Sequence, residues 1–252
     1  MYAPNEEFEQ ADERDGVWRY MSLAKFVSLL HSKTLYFSRA DKLSDPFEGS
    51  YPLKNIAKRN TYFDSLGLDT NVRKELDDML DMSGFIKKCT TWTAVNCWNL
   101  GNHESAAMWR LYVSGHDGVA IRSSYGRLRD CFKITSENIF LGKIKYIDYE
   151  KDCISRTSVF SPFLHKRKSF EHECEVRAVI SKLPIKNGGL SPDIETIVHG
   201  INVPVDLSVL IERIYLAPYA PTWIHEVVTS VINSYRYTLD VKQSDLSREP
   251  VY

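Results

Sequence analysis

The stretch Phe170–Ile180 reads FEHECEVRAVI, and in it Glu173, Glu175 and Arg177 fall on alternate positions. An extended strand sends successive side chains to opposite faces. The spacing therefore predicts a strand running from Glu173 to Lys182, with Cys174, Val176, Ala178 and Ile180 toward a core and the two glutamates and the arginine on the other face. Carboxylates two residues apart on a strand are separated by roughly 6 to 7 Å at their Cα atoms, close enough to act on two atoms of one bound molecule. The commoner use of such a pattern is a solvated sheet face on which Arg177 neutralises Glu175. The alternative is a pair of carboxylates in a cleft.

Outward from that strand, short strands and helices alternate without a strict βαβ rhythm. Val17–Met21 reads as a strand, and Ser22 as the N-cap of a helix whose Leu23, Phe26, Val27 and Leu30 keep the 3.6-residue period. Lys33–Ser38 is a second strand. Asp45, Pro46 and Glu48 fit the start of a helix, as cap, first-turn proline and capping-box carboxylate. Thr70–Met82 is expected to be a helix with Val72, Leu76 and Leu80 on one stripe. Cys89–Cys97 suits a strand and Glu104–Tyr112 a helix. Gly118–Ser123, Lys143–Tyr149, Ile211–Leu216 and Tyr237–Val241 read as further strands, Pro184–Pro192 as a loop, and the run from Thr222 to Tyr235 as a last helix. The sum is an α+β fold with a mostly antiparallel or mixed sheet.

At 252 residues, with 43% hydrophobic and 26% charged residues, the chain has ordinary globular composition and room for one sizeable core. No linker or repeat divides it, so residues 1–16 read as a polar segment ahead of a single domain over 17–252. The opening MYAPNEEFEQADERDG is acidic and unlike a secretory leader, and no run of 18 apolar residues occurs, so no membrane association is expected and the cytoplasm is the expected location. Five cysteines without a CxxC pair suggest buried thiols rather than a disulfide framework or zinc ribbon. A net charge of −1 and a pI near 6.7 supply no global attraction to a phosphate backbone.

No phosphate-binding loop, GxGxxG, HExxH or GxSxG occurs, and the seven histidines have no metal-ligand spacing. His103 and His116 flank the helix at 104–112, where surface roles are usual. Lys166, Arg167 and Lys168 form the one dense basic run, either a solvated loop or a holder for a phosphate-bearing acceptor.

The blocks Trp18–Leu23, Leu35–Ser38, Asp45–Gly49, Cys97–Trp98, Met108–Tyr112, Gly118–Ile121 and Phe170 with Glu173, Glu175 and Arg177 resemble, in content and order, the bacterial family known as domain of unknown function 2971. More remotely, an arginine on the first strand, a strand ending in serine and a late Glu-x-Glu are similar to the Arg-Ser-Glu arrangement of ADP-ribosyltransferases. The run Lys166–Ile180 also looks like the catalytic-glutamate region of toxins that ADP-ribosylate thymine in DNA. This resemblance implies a split or two-sheet mixed β core flanked by helices, and NAD as substrate. It implies Glu175 as the catalytic carboxylate beside the ribose cation and Glu173 as the one that orients or deprotonates the acceptor, Arg19 on the pyrophosphate, Ser38 (with Ser123–Ser124 competing) as the serine, and Tyr20, Tyr36 or Phe37 against the nicotinamide. A nucleic-acid or protein acceptor and an antitoxin or defence-system partner follow from the same likeness. Two other classes stay open: a metal-dependent nucleic-acid-processing enzyme using Glu48, Glu104, Glu173 and Glu175, and a non-catalytic ligand-binding module.

Overall fold

Cys174 decides where the central strand begins. Its backbone is left-handed, with φ at 40°, and it closes a 3-10 turn over Lys168–Glu173. A side-chain-bearing residue in that region redirects the chain, and the bend is held from the neighbouring strand: Asn99 Nδ2 donates to the Glu173 carbonyl at 2.6 Å and Leu100 N to the Cys174 carbonyl at 2.7 Å. The strand therefore spans Glu175–Ser181. Glu173 comes from the turn rather than the strand face, and Cys174 is exposed where alternation predicts a core position. Nor is either face of this strand wet, since every residue from Glu175 to Ile180 is buried.

This computed structural model describes residues 1–67, 69, 71, 72, 82–155 and 158–252; most of the helix expected over 70–82 lies outside them. In chain order the strands are β1 Gly16–Ser22, β2 Thr34–Arg39, β3 Thr93–Leu100, β4 Gly118–Ser124, β5 Phe140–Lys143, β6 Lys145–Ile147, β7 His165–Arg167, β8 Glu175–Ser181, β9 Ile185–Lys186, β10 Gly189–Leu190, β11 Gly200–Pro204, β12 Arg213–Leu216 and β13 Val241–Gln243. Nine of them form one mixed sheet, while β6–β7 and β9–β10 are separate two-stranded ribbons. The fold is α+β, as the alternation of elements predicts.

The sheet forks at β3. One edge of β3 pairs with β8 along Thr93–Asn99. The other edge is shared: β2 takes Ala94 and Val95, and β1 takes Asn99 and Leu100. On this second edge residues 96–98 have no strand partner, yet a backbone polar group at such a gap still needs a hydrogen bond. Side chains provide it. Arg19 Nη1 donates to the Cys97 carbonyl at 2.6 Å, and Asn96 Nδ2 donates to the Tyr36 carbonyl of β2 at 2.9 Å. From the fork, β1 continues through β4 and β12 to β13, and β2 continues to β11.

Helix α1, Leu23–Ser32, is capped by Ser22, whose side chain accepts from Lys25 N, and its Phe26, Leu29 and Leu30 enter the main core. That core also takes Val176, Ala178 and Ile180 from β8 and Ile224, Val228 and Ile232 from the helix Thr222–Ser234. No helix among the described residues is long and apolar enough to cross a membrane.

Several boundaries move for identifiable reasons. Asp45 caps only a single turn, its Oδ1 accepting from Phe47 N at 3.1 Å, and the next helix starts at Leu53. Glu48 is drawn inward to Arg177 instead. Cys89 lies in the last turn of the helix Met82–Thr91 rather than opening β3. The strand expected over Lys143–Tyr149 divides at Ile144, whose N–H turns to the Glu175 carbonyl at 2.9 Å. Residues 1–16 are not a detached segment: Ala3 N and Lys143 N make bonds of 2.8 Å with the Ile139 and Glu9 carbonyls, and buried Phe8 stacks on Phe140 at 5.5 Å.

Candidate functional site

Paired residues of an antiparallel ladder share a face, so register fixes the directions of side chains around the fork. Cys97 stands opposite Arg177, Asn99 opposite Glu175, Ser38 opposite Val95 and Trp18 opposite Asn99. Cys97, Asn99, Glu175, Arg177, Ser38 and Tyr36 therefore lie on one face, and Arg19 on the other. The gap between β1 and β2 joins the two sides. It forms a cavity of about 630 Å³ lined by Arg19, Tyr20, Tyr36, Ser38, Cys97, Trp98, Asn99, Tyr112, Glu173 and Glu175, among others. That volume lies in the ordinary range for a small-molecule site.

Beside it sits a buried ionic cluster. Arg177 is fully buried. Its Nε and Nη2 donate to the two oxygens of Glu175 at 2.7 and 3.0 Å, Nη1 and Nη2 to Glu48 at 2.8 and 3.3 Å, and Nη1 also to the Phe163 carbonyl at 2.9 Å. All five guanidinium donors are thereby used. Lys166 Nζ lies 2.6 Å from Glu173 and 3.4 Å from both Glu175 and Glu48. The Glu175 N–H donates to the Tyr146 hydroxyl at 2.7 Å.

These contacts set the charge states. Burial alone would raise the Glu175 carboxyl, but Arg177 and Lys166 outweigh it and bring it down to about 2. Burial likewise works against the Lys166 ammonium, and Glu175, Glu48 and Glu173 more than offset it, so its pKa is raised. Burial first, then the Glu175 charge, pushes the Cys97 thiol up, so Cys97 is a protonated donor rather than a nucleophile. Burial lowers the Arg19 guanidinium, opposed by the Glu175 charge; an arginine at this site stays charged.

A depressed carboxyl pKa contributes stability that is present above its unfolded value and lost as pH falls through its folded value. For Glu175 the window runs from 4.5 down to about 2. Urea unfolding midpoints are expected to fall steadily across that window, and less so in Glu175→Gln. Parallel pH profiles for the two proteins would show that Glu175 is not held by its cations.

The sequence-expected residues divide. Arg19, Tyr20, Tyr36, Ser38, Glu173 and Glu175 converge on the one cavity. Tyr20 is nonetheless mostly a packing residue, its hydroxyl accepting from Ser105 N at 2.7 Å and its ring edge-on to Trp109. Exposed Tyr36 lies where a side chain at Gly200 would stand, a Cβ there falling 2.4 Å from its hydroxyl. Ser123 is buried with its hydroxyl donating to the Leu210 carbonyl, and Ser124 caps the helix Tyr125–Asp130, so of the three expected serines Ser38 alone lines the cavity, which also takes Ser28, Ser32 and Ser44. The basic run is not an open patch. Lys166 is buried among the glutamates, Arg167 pairs with Asp45 at 2.8 Å and lies over the Phe47 ring, and only Lys168 is exposed.

Glu48, which a capping pattern also explains, joins the cluster; Trp98 and Tyr112 stand out in the sequence only within the resembling blocks, and Asn99 carries no signal of its own. His116 Nδ1 contacts the Pro218 carbonyl. Glu104 is bound into other contacts, with Trp109 Nε1, Ser244 Oγ and Asp245 N. Among the described residues no group of acidic, histidine or cysteine side chains is arranged to hold a metal ion. Comparison with protein-family models, curated proteins and solved structures finds no match.

Proposed function

We propose that the cavity at the fork binds NAD and that the protein is an ADP-ribosyltransferase-type enzyme. The observation that carries this reading is the convergence of Arg19, Ser38, Glu173 and Glu175, dispersed over the chain, on one cavity of suitable size. Cleavage of the nicotinamide–ribose bond sends the bonding pair to the departing pyridinium and leaves a cationic, oxocarbenium-like ribose, which a nearby carboxylate stabilises. Three carboxylates and two cations make up the cluster, so one negative charge remains uncompensated. That excess opens to the cavity at Glu173, whose side chain is 13% exposed against 3% for both Glu48 and Glu175 and which shares Lys166, its partner at 2.6 Å, with the other two. Glu173 thus becomes the group facing the reacting ribose, while Glu175 stays paired with Arg177 in the buried cluster. Arg19, half-buried with its guanidinium 5.8 Å from the Trp98 ring, suits a pyrophosphate on the opposite wall.

The acceptor is a nucleic acid or a protein. With Lys166 and Arg167 engaged internally, the basic run lends no support to the nucleic-acid choice. An effector role, as a toxin or in phage defence, rests on the resemblance alone. The complete internal pairing of Arg177 and Glu175 favours a second reading, in which the cavity binds a nucleotide without turning it over. Incubation of the purified chain with NAD, followed by chromatographic detection of free nicotinamide, separates the two. Release of nicotinamide supports the enzyme; saturable binding of NAD that stays intact supports the binding module, and neither would sink both.

A further inference from the structure

We infer that Lys166 is a positioning residue that acts through Glu173, on a support built by the β6–β7 ribbon; this rests on the reading of Glu173 given above. In the parallel β6–β7 register Lys166 stands opposite Tyr146, and the two reach either side of Cys174, Lys166 the end of the turn and Tyr146 the start of β8. Tyr146 takes the backbone N–H of Glu175 at 2.7 Å, and Lys166 Nζ takes the Glu173 carboxylate at 2.6 Å. The ammonium has three protons and no acceptor capacity, and three carboxylates lie within 3.4 Å of it, so little of its charge is left for a ligand. Its Nζ also sits 4.8 Å from the Phe170 ring, over the turn itself. The side chain is buried at 9% exposure. A ribbon of two three-residue strands outside the main sheet thus holds the end of the glutamate turn and the start of β8 from one register position.

A double-substitution cycle on nicotinamide release from NAD tests this. Lys166→Met should lower kcat by about 10- to 100-fold, as expected for a displaced reacting group, with KM nearly unchanged, and Lys166→Arg should recover much of the loss. In a Glu173→Gln background Lys166→Met should cost little more. An equal loss in both backgrounds, or a rise in KM at unchanged kcat, would overturn the inference. The carboxylate ¹³C resonance of Glu173, identified by its loss in Glu173→Gln, supplies a readout independent of turnover. It should move in Lys166→Met and return in Lys166→Arg; an unmoved resonance overturns the inference even in a protein that consumes no NAD. If Lys166→Met does not fold, exchange of the Lys166 ammonium protons should be faster in Glu173→Gln than in the parent, and equal rates would overturn it.

Discussion

Arg177→Met is expected to lower the unfolding free energy by about 3 to 5 kcal/mol, the usual cost of removing one partner from a buried ion pair, and to leave much of the protein insoluble. The guanidinium holds Glu48 and Glu175 together, and both carboxylates have only 3% exposed side chains. Methionine fills most of the volume but leaves the two carboxylates with Lys166 as their remaining cation, at 3.4 Å from each. The Phe163 carbonyl loses its donor as well. Burying an unpaired charge costs far more than burying apolar surface recovers, so the upper end of the range applies. Adding Glu175→Met and Glu48→Gln should restore part of the loss, because the penalty lies in stranded charge rather than in missing contacts. Urea denaturation of the three proteins measures this. An Arg177→Met protein with the parent's midpoint would mean that water reaches the cluster and that the ion pairs hold little together.

The legible part of the fold was the part written in local pattern. Helix α1 with its Ser22 cap, the helix Thr222–Ser234 and β4 follow from periodicity and flanking residues, because each buries one stripe or both faces in a way its own sequence encodes. The fork was not written locally. It depends on two strands sharing one edge of β3, a non-local pairing whose only traces in the sequence are Arg19 and Asn96, the polar side chains that occupy the gap. The alternation of Glu173, Glu175 and Arg177 leads to the buried ionic cluster through a wrong geometry. A regular strand was inferred, but the left-handed Cys174 separates Glu173 from the face that Glu175 and Arg177 share. Glu48 was obscured by an equally good local explanation, since a carboxylate three residues after Asp45 satisfies a capping pattern whether or not a helix follows. The charge run leaves Lys166 either in a solvated loop or against a phosphate-bearing acceptor, and shows nothing of its buried role; its three carboxylate partners come from a turn, a strand and a loop that no short window contains.

Glu173→Gln should keep the fold and reduce nicotinamide release by about 100-fold or more, equivalent to roughly 3 to 4 kcal/mol of transition-state stabilisation. Glutamine preserves the size of the side chain and an oxygen acceptor, but not the negative charge that opposes the cation formed as the glycosidic bond breaks. Removing it also brings the cluster to two carboxylates against two cations, so the substitution strands no charge in the interior and stability should change little. Glu175→Gln makes the comparison decisive. On the proposed reading it too should lower turnover, but it leaves Arg177 short of one of its two carboxylates, so its loss of activity should be accompanied by a lower denaturation midpoint. Turnover measured beside thermal unfolding therefore distinguishes the carboxylate that meets the substrate from the one that holds the site together. If Glu173→Gln releases nicotinamide at the parent's rate while Glu175→Gln loses activity at an unchanged midpoint, the two roles are reversed, and the charge at the cavity must come from Glu175 despite its pairing with Arg177.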